Sequence, residues 1–157
     1  DLRSRGHARL TSTPALRMSL PHRTKQGMAK AFYDPPDVFT AVNLYSHGVR
    51  SGRTVALAGQ APLNEDGSVV GPGDADVQCR RVFSDLQKTL QLAGATFEQV
   101  VYVRAYVTGK TVLPALHRAA GRVFGSNRPA LTALIVPGCR AEGALIELEL
   151  VVDLGQE

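Results

Sequence analysis

The sequence predicts an α+β fold with the order β-β-α-β-α-β-β, a mixed sheet carrying two helices on one face. Three observations lead there. Apolar residues recur at helical spacing over 74–92 and again over 113–124. Two-residue alternation marks 97–108 and 144–152. Glycine and proline clusters punctuate the intervals between them. With 157 residues, 44% of them apolar and 20% charged, the chain can bury one ordinary core.

Each element has its own signature. Residues 41–49, AVNLYSHGV, read as a strand after an irregular piece that contains Pro35-Pro36. Ser51-Gly52 supplies a tight turn, and Thr54–Ala58 reads as the hairpin partner. The stretch from Gly59 to Gly73 alternates glycine and proline with polar residues and reads as a loop. In the first helix Val77, Val82, Phe83, Leu86, Leu90 and Ala93 recur on one side. Asp74 and Asp76 suit its positive N-terminal end, and Gly94 stops it.

Phe97–Thr108 reads as a strand with Val101, Val103, Ala105 and Val107 on one face and Tyr102, Arg104 and Tyr106 on the other. A second helix spans Leu113–Phe124, with Pro114 in its opening turn. Ala130–Val136 follows as a strand, and Pro137-Gly138 turns the chain. In the last strand, Ala144–Val152, Glu147 and Glu149 share one face and Ile146, Leu148 and Leu150 the other. A sheet face that carries tyrosines, an arginine and glutamates has no third layer to cover it. Self-association is the expected answer.

Composition excludes several classes of function. Residues 1–28 hold six basic side chains against Asp1 alone, whereas residues 29–157 hold twelve basic and thirteen acidic ones. The positive charge therefore belongs to an N-terminal tail, and the domain over 29–157 is nearly neutral. The tail superficially has the scattered arginines of a mitochondrial transit peptide, but it reads rather as a leader or upstream segment, with Met28 as a natural start. No clustered basic face or motif points to nucleic acid, and no run of about 20 apolar residues points to a membrane. The expected setting is cytoplasmic. Cys79 and Cys139 are too few for a disulfide framework, and nothing about the spacing of His47 and His117 recommends a metal. No phosphate-binding loop, HExxH, CxxC or GxSxG motif occurs.

What remains is a small set of polar residues on apolar elements. Glu147 lies in the middle of an apolar strand, where a carboxylate needs water, a partner or a ligand. It reads either as a general acid/base or, with Glu149, as a solvated group or partner of Arg104. Tyr45 and His47 are expected on one face of the first strand, where a phenol can hold a substrate oxygen or merely cap the core.

Three blocks of this chain resemble one known family. They are LYSHGVRSGRTVALAGQAPLNEDGSVVG, DADVQCRRVFSDLQKTLQLAGATFEQVVYVRAYVTG and RPALTALIVPGCRAEGALIELELVV, which lie between Leu44 and Val152, and the resemblance covers roughly residues 40–153. The family is that of YjgF/YER057c/UK114, also called Rid. The resemblance implies a chorismate-mutase-like sandwich, assembly as a homotrimer with clefts between subunits, and no cofactor. It also implies hydrolytic deamination of small reactive enamines or imines, releasing ammonia and a carbonyl product. A non-catalytic trimer that binds a small molecule or another protein is the alternative.

Residue by residue, the resemblance carries Tyr45 and Ser46 from the Tyr-Ser motif and Gly59-Gln60 from the Gly-Gln pair, with Ala58 where a serine often stands. Glu147 falls on the glutamate that positions or activates water. His117 falls on an asparagine of the second helix and Ala133 on a cysteine, its backbone being suited to polarising the reacting centre. The substrate-gripping arginine of the family's Pro-Ala-Arg-Ser/Thr motif is replaced, because this chain reads Pro129-Ala130-Leu131-Thr132. An aliphatic side chain cannot imitate a guanidinium–carboxylate fork. Substrate anchoring is therefore expected to be non-standard, with His117 or an Arg104 from a neighbouring subunit as substitutes.

Overall fold

A computed structural model describes residues 22–23, 29–40 and 44–155. Most of the N-terminal tail, and residues 41–43 of the expected first strand, lie outside the described residues. The sheet has seven strands: β1 (His22–Arg23), β2 (Ala29–Tyr33), β3 (Gly48–Ser51), β4 (Thr54–Gln60), β5 (Val100–Val107), β6 (Ala130–Ile135) and β7 (Ile146–Asp153). Their order across the sheet is β1-β2-β3-β4-β7-β5-β6. Neighbours are antiparallel except β5 and β6, which run parallel because a helix crosses between them. From β3 onward the chain follows β-β-α-β-α-β-β, as the sequence predicts.

Helix α1 (Ala75–Leu92) begins where Asp74 Oδ1 accepts the Val77 N–H at 3.0 Å, satisfying a donor that the helix itself leaves unpaired. It ends at Ala93, with Gly94 at φ +68° turning the chain away. Helix α2 (Leu113–Phe124) opens on Pro114, whose missing N–H costs nothing in a first turn. The two helices are linked at their outer surface by Arg118 and Asp76, 2.7 Å apart.

The core lies between the helices and one face of the sheet. Val82, Leu86, Leu90 and Leu116 pack on Val55, Val103, Ile146, Leu148 and Leu150, all buried. Phe83, Phe97 and Phe124 close one end edge to face, with centroids 5.7–6.1 Å apart. Removing one of these large side chains costs about 2–5 kcal/mol, since the packed surroundings relax only partly.

Four expectations are corrected. Ala29–Tyr33, read as irregular, is a strand paired with β3, and the proline pair ends it rather than excluding it. The first hairpin strand is Gly48–Ser51, so Tyr45 and His47 lie in the segment leading into it, not on it. β4 runs on to Gln60, past the loop boundary expected at Gly59. Finally, Val101 does not share the buried face. The pairing of β5 with β7 slips between Val100 and Tyr102, burying Val100 and leaving Val101 exposed.

The opposite face of the sheet has no covering layer in the single chain. Tyr102, Arg104, Tyr106, Glu147 and Glu149 lie there, half-buried among one another. All of β6 is exposed, including Leu131, Leu134 and Ile135. Such a patch at the edge of a sheet marks an interaction surface.

Candidate functional site

The site is built around a second irregularity in the sheet. Between Leu57 and Gln60 strand β4 spends one residue more than β7 does between Leu150 and Leu148. The bulge turns Gln60 inward and sets Gly59 beside Glu147. A Cβ on Gly59 would stand 2.2 Å from Glu147 Oε1 and 3.0 Å from its Cδ. The carboxyl group occupies the space that a side chain at 59 would fill. Glycine at 59 is therefore a requirement of the carboxylate, not of the turn.

Glu147 and Gly59 face a small cavity of about 30 Å³, whose wall includes Tyr45, His47, Gln60, Arg140 and apolar Val38, Phe39 and Leu63. That is room for about two waters or a group of similar size. Val38, Phe39 and Tyr45 also line a wider adjoining cleft. Among the described residues no cation stands within ion-pairing distance of Glu147. Burial raises its pKa above the ordinary carboxylate value; the nearby Arg140 charge opposes this and Glu149 adds to it. A carboxyl group with a raised pKa holds a proton more readily than an ordinary carboxylate, which suits it to both accepting and returning one.

His47 forms the back wall and is itself buried. Gln60 Nε2 donates to its Nδ1 at 2.6 Å, which leaves the other ring nitrogen to donate to Thr40 Oγ1 at 2.7 Å. Its backbone N–H donates to Asp34 Oδ1 at 2.8 Å. Burial lowers the imidazole pKa, against the pull of Asp34 and Asp85. With both nitrogens occupied it is a fixed support rather than a proton carrier. Tyr45 meets it edge to face, with centroids 5.8 Å apart, which orients the phenol.

The residues singled out in the sequence thus divide into two groups. Tyr45, Gly59, Gln60 and Glu147 come together at the cavity, with Ser46 and Ala58 beside them in the chain. Leu131, Thr132 and Ala133 lie on the edge strand β6, Arg104 lies on the open sheet face beside Glu149, and His117 is exposed on α2, so none of them reaches the cavity within the single chain. The β5–β6 register puts Leu131 and Ala133 beside Val103 and Ala105, on the helix-facing side and away from Glu147. Thr132 pairs with Arg104 on the open face and accepts the Tyr102 hydroxyl at 3.3 Å. Arg104 is held by Glu149 at 2.6 Å. The thiols do not join the site as nucleophiles: burial pushes Cys79 up to about 11 and raises Cys139 as well. Among the described residues no group of three or more His, Cys, Asp and Glu converges as metal ligands would.

Two residues escape sequence reasoning. Arg140 lies in the segment between β6 and β7, read only as a turn. Gln78, fully buried in α1, donates to the Gly71 and Gly143 carbonyls and accepts the Leu145 N–H at 2.7 Å. It ties two loops to one helix. A polar residue on the buried side of α1, which also holds Asp85 and Thr89, is the only signal the sequence offered.

This fold is shared with known proteins. Residues 36–154 match the model of the family described as Endoribonuclease L-PSP, and the chain belongs to that family. A RutC family protein of Pyrococcus abyssi is 28% identical over 107 residues, which are 68% of this chain and 84% of that protein. A solved member of the YjgF/YER057c/UK114 family from Mycobacterium tuberculosis is 28% identical, with a TM-score of 0.64 over 74% of this chain and 97% of that one. A Rid family protein of unknown function from Yersinia pestis has the same fold, with 24% identity and a TM-score of 0.74 over 80% and 99% of the two chains. The resemblance drawn from three sequence blocks is borne out at the level of family and fold. Among the described residues no helix is long and apolar enough to cross a membrane.

Proposed function

We propose that this protein hydrolyses small reactive enamines or imines, with Glu147 handling water and Tyr45 holding the substrate. The observation that carries the reading is the Glu147 carboxyl group, unpaired and half-buried, beside the space left by Gly59. In the reaction, a water held by Glu147 gives a proton to the carboxylate as its oxygen bonds to the imine carbon. Glu147 returns that proton to the imine nitrogen, giving a carbinolamine. The carbinolamine expels ammonia as its hydroxyl proton passes through the same carboxylate to nitrogen and the carbon–oxygen double bond forms. Enclosure by Val38, Phe39 and Leu63 strengthens each of these polar contacts.

The single-chain cavity holds only the reacting end of a substrate. We place further copies of the chain against the open sheet face, as a homotrimer whose clefts bring Leu131, Thr132, Ala133, Arg104 and His117 of one copy toward the cavity of another. Sedimentation should then give a mass three times 16.8 kDa, and a monomer would remove this part of the reading.

The test is ammonia release from freshly generated 2-imino acids and uncharged imines. Turnover above the spontaneous rate, reduced about 100-fold or more in Glu147→Gln, is the expected result. No acceleration by the wild-type protein would favour the second reading, a non-catalytic trimer that binds a small molecule. Leu131 is the residue that favours that alternative, since it leaves the resembled family's anchor position without charge.

A further inference from the structure

We infer that Arg140 is the anion anchor of the Glu147 cavity, selecting small ligands that carry a carboxylate next to the reacting carbon. The inference rests on the catalytic reading above only for the identity of the reacting end. The anchor itself is argued from geometry.

Arg53, Arg81, Arg104 and Arg118 each hold a carboxylate of this chain. Arg140, at the cavity wall, pairs with no carboxylate among the described residues. Its Nη1 donates to the Tyr45 hydroxyl at 3.4 Å, and its guanidinium carbon lies 6.0 Å from the centroid of that ring. Most of its donors are therefore free for a ligand. Glu147 lines the same cavity and feels the Arg140 charge without making an ion pair with it. Asp85 also lines this cavity, but it is held by Arg81 at 2.7 Å and Lys88 at 3.2 Å. That leaves Glu147 and Arg140 as the two opposite charges that face the space without meeting, an arrangement suited to a ligand anionic at one end and nitrogen-bearing at the other.

The segment that presents Arg140 is fixed at both ends. Val136 N–H donates to Val107 O at 2.9 Å, and Thr108 N–H to Leu145 O at 3.0 Å. Gln78 grips Gly143 and Leu145 from within the core. The backbone that carries Arg140 is thus held in place, while its exposed guanidinium rests against Tyr45. Preorganisation of this kind reduces the entropy lost on capturing a carboxylate. A planar fork also matches a carboxylate better than a point charge does.

The test compares binding of pyruvate and of the uncharged pyruvamide, by calorimetry, to the full chain and to Arg140→Ala and Glu147→Gln. The wild-type protein should bind pyruvate at least about ten-fold more tightly than pyruvamide, in keeping with a charge-assisted contact. Arg140→Ala should lose that preference while Glu147→Gln keeps it. In turnover, Arg140→Ala should raise KM for 2-imino acids by a larger factor than for uncharged imines. A wild-type protein with no preference, or Arg140→Ala with an intact one, overturns the anchor. The two failures are separable. Loss of turnover in Glu147→Gln with preference retained in Arg140→Ala removes the anchor and leaves the catalyst. Full turnover in Glu147→Gln with preference lost in Arg140→Ala does the reverse.

Discussion

Glu147 and Glu149 are two residues apart on one strand and face the same side of the sheet, yet they live in different chemistry. Across β5, Glu149 stands opposite Arg104 and is bonded to it at 2.6 Å. Glu147 stands opposite Tyr106, with the bulge and Gly59 on its other side, and has no such partner. One carboxylate is neutralised by its cross-strand neighbour, the other is left to a cavity. The difference comes from the adjoining strands and not from the Glu-Leu-Glu pattern itself. A periodic pair of identical residues can therefore divide into a structural and a reactive member.

The comparison can be broken from either side. The largest effect is expected from Gln78→Leu, which strips the Gly71, Gly143 and Leu145 backbone groups of their partner. A cost of about 3 kcal/mol should appear in chemical denaturation, because buried polar groups are left unpaired. The Arg140 segment should loosen while the Arg104–Glu149 pair stays intact. Gly59→Ala comes next. Its methyl group would overlap the Glu147 carboxyl group, so about 1–3 kcal/mol of stability and most turnover should be lost together. Unchanged turnover in that variant would mean that the carboxyl position is unimportant.

The pH dependence sharpens the contrast. Burial raises the folded-state pKa of Glu147 above its ordinary value of 4.5, so the folded chain keeps this proton at a pH where the unfolded chain has lost it. Its contribution to stability is complete below the unfolded pKa and declines as pH rises through the folded one. Glu147→Gln should remove that decline and melt higher than wild type above the window, as thermal unfolding over a pH series would record. The smallest effect belongs to Arg104→Met. The pair is partly exposed to water in the single chain, so its loss should cost under about 1 kcal/mol.

Much of this organisation was legible in the sequence, and the exceptions share a cause. Helix α2 lies at its expected residues and α1 starts one residue later than expected, because period, cap and stop are local signals. Glu147, Tyr45 and Gly59-Gln60 were singled out and do meet. The two bulges were not legible, because an extra residue shows only when the partner strand is in place. Val101 was misassigned for that reason, and Gly59 was marked without its contact to Glu147. Arg140 was passed over as part of a turn. Its meaning depends on Tyr45, 95 residues earlier in the chain.

The most direct measurement sets the two glutamates side by side: ammonia release from a 2-imino acid by wild type, Glu147→Gln and Glu149→Gln at matched folding. The account predicts turnover reduced about 100-fold or more in Glu147→Gln and kept within a few-fold of wild type in Glu149→Gln. Equal losses, or the greater loss in Glu149→Gln, would contradict it.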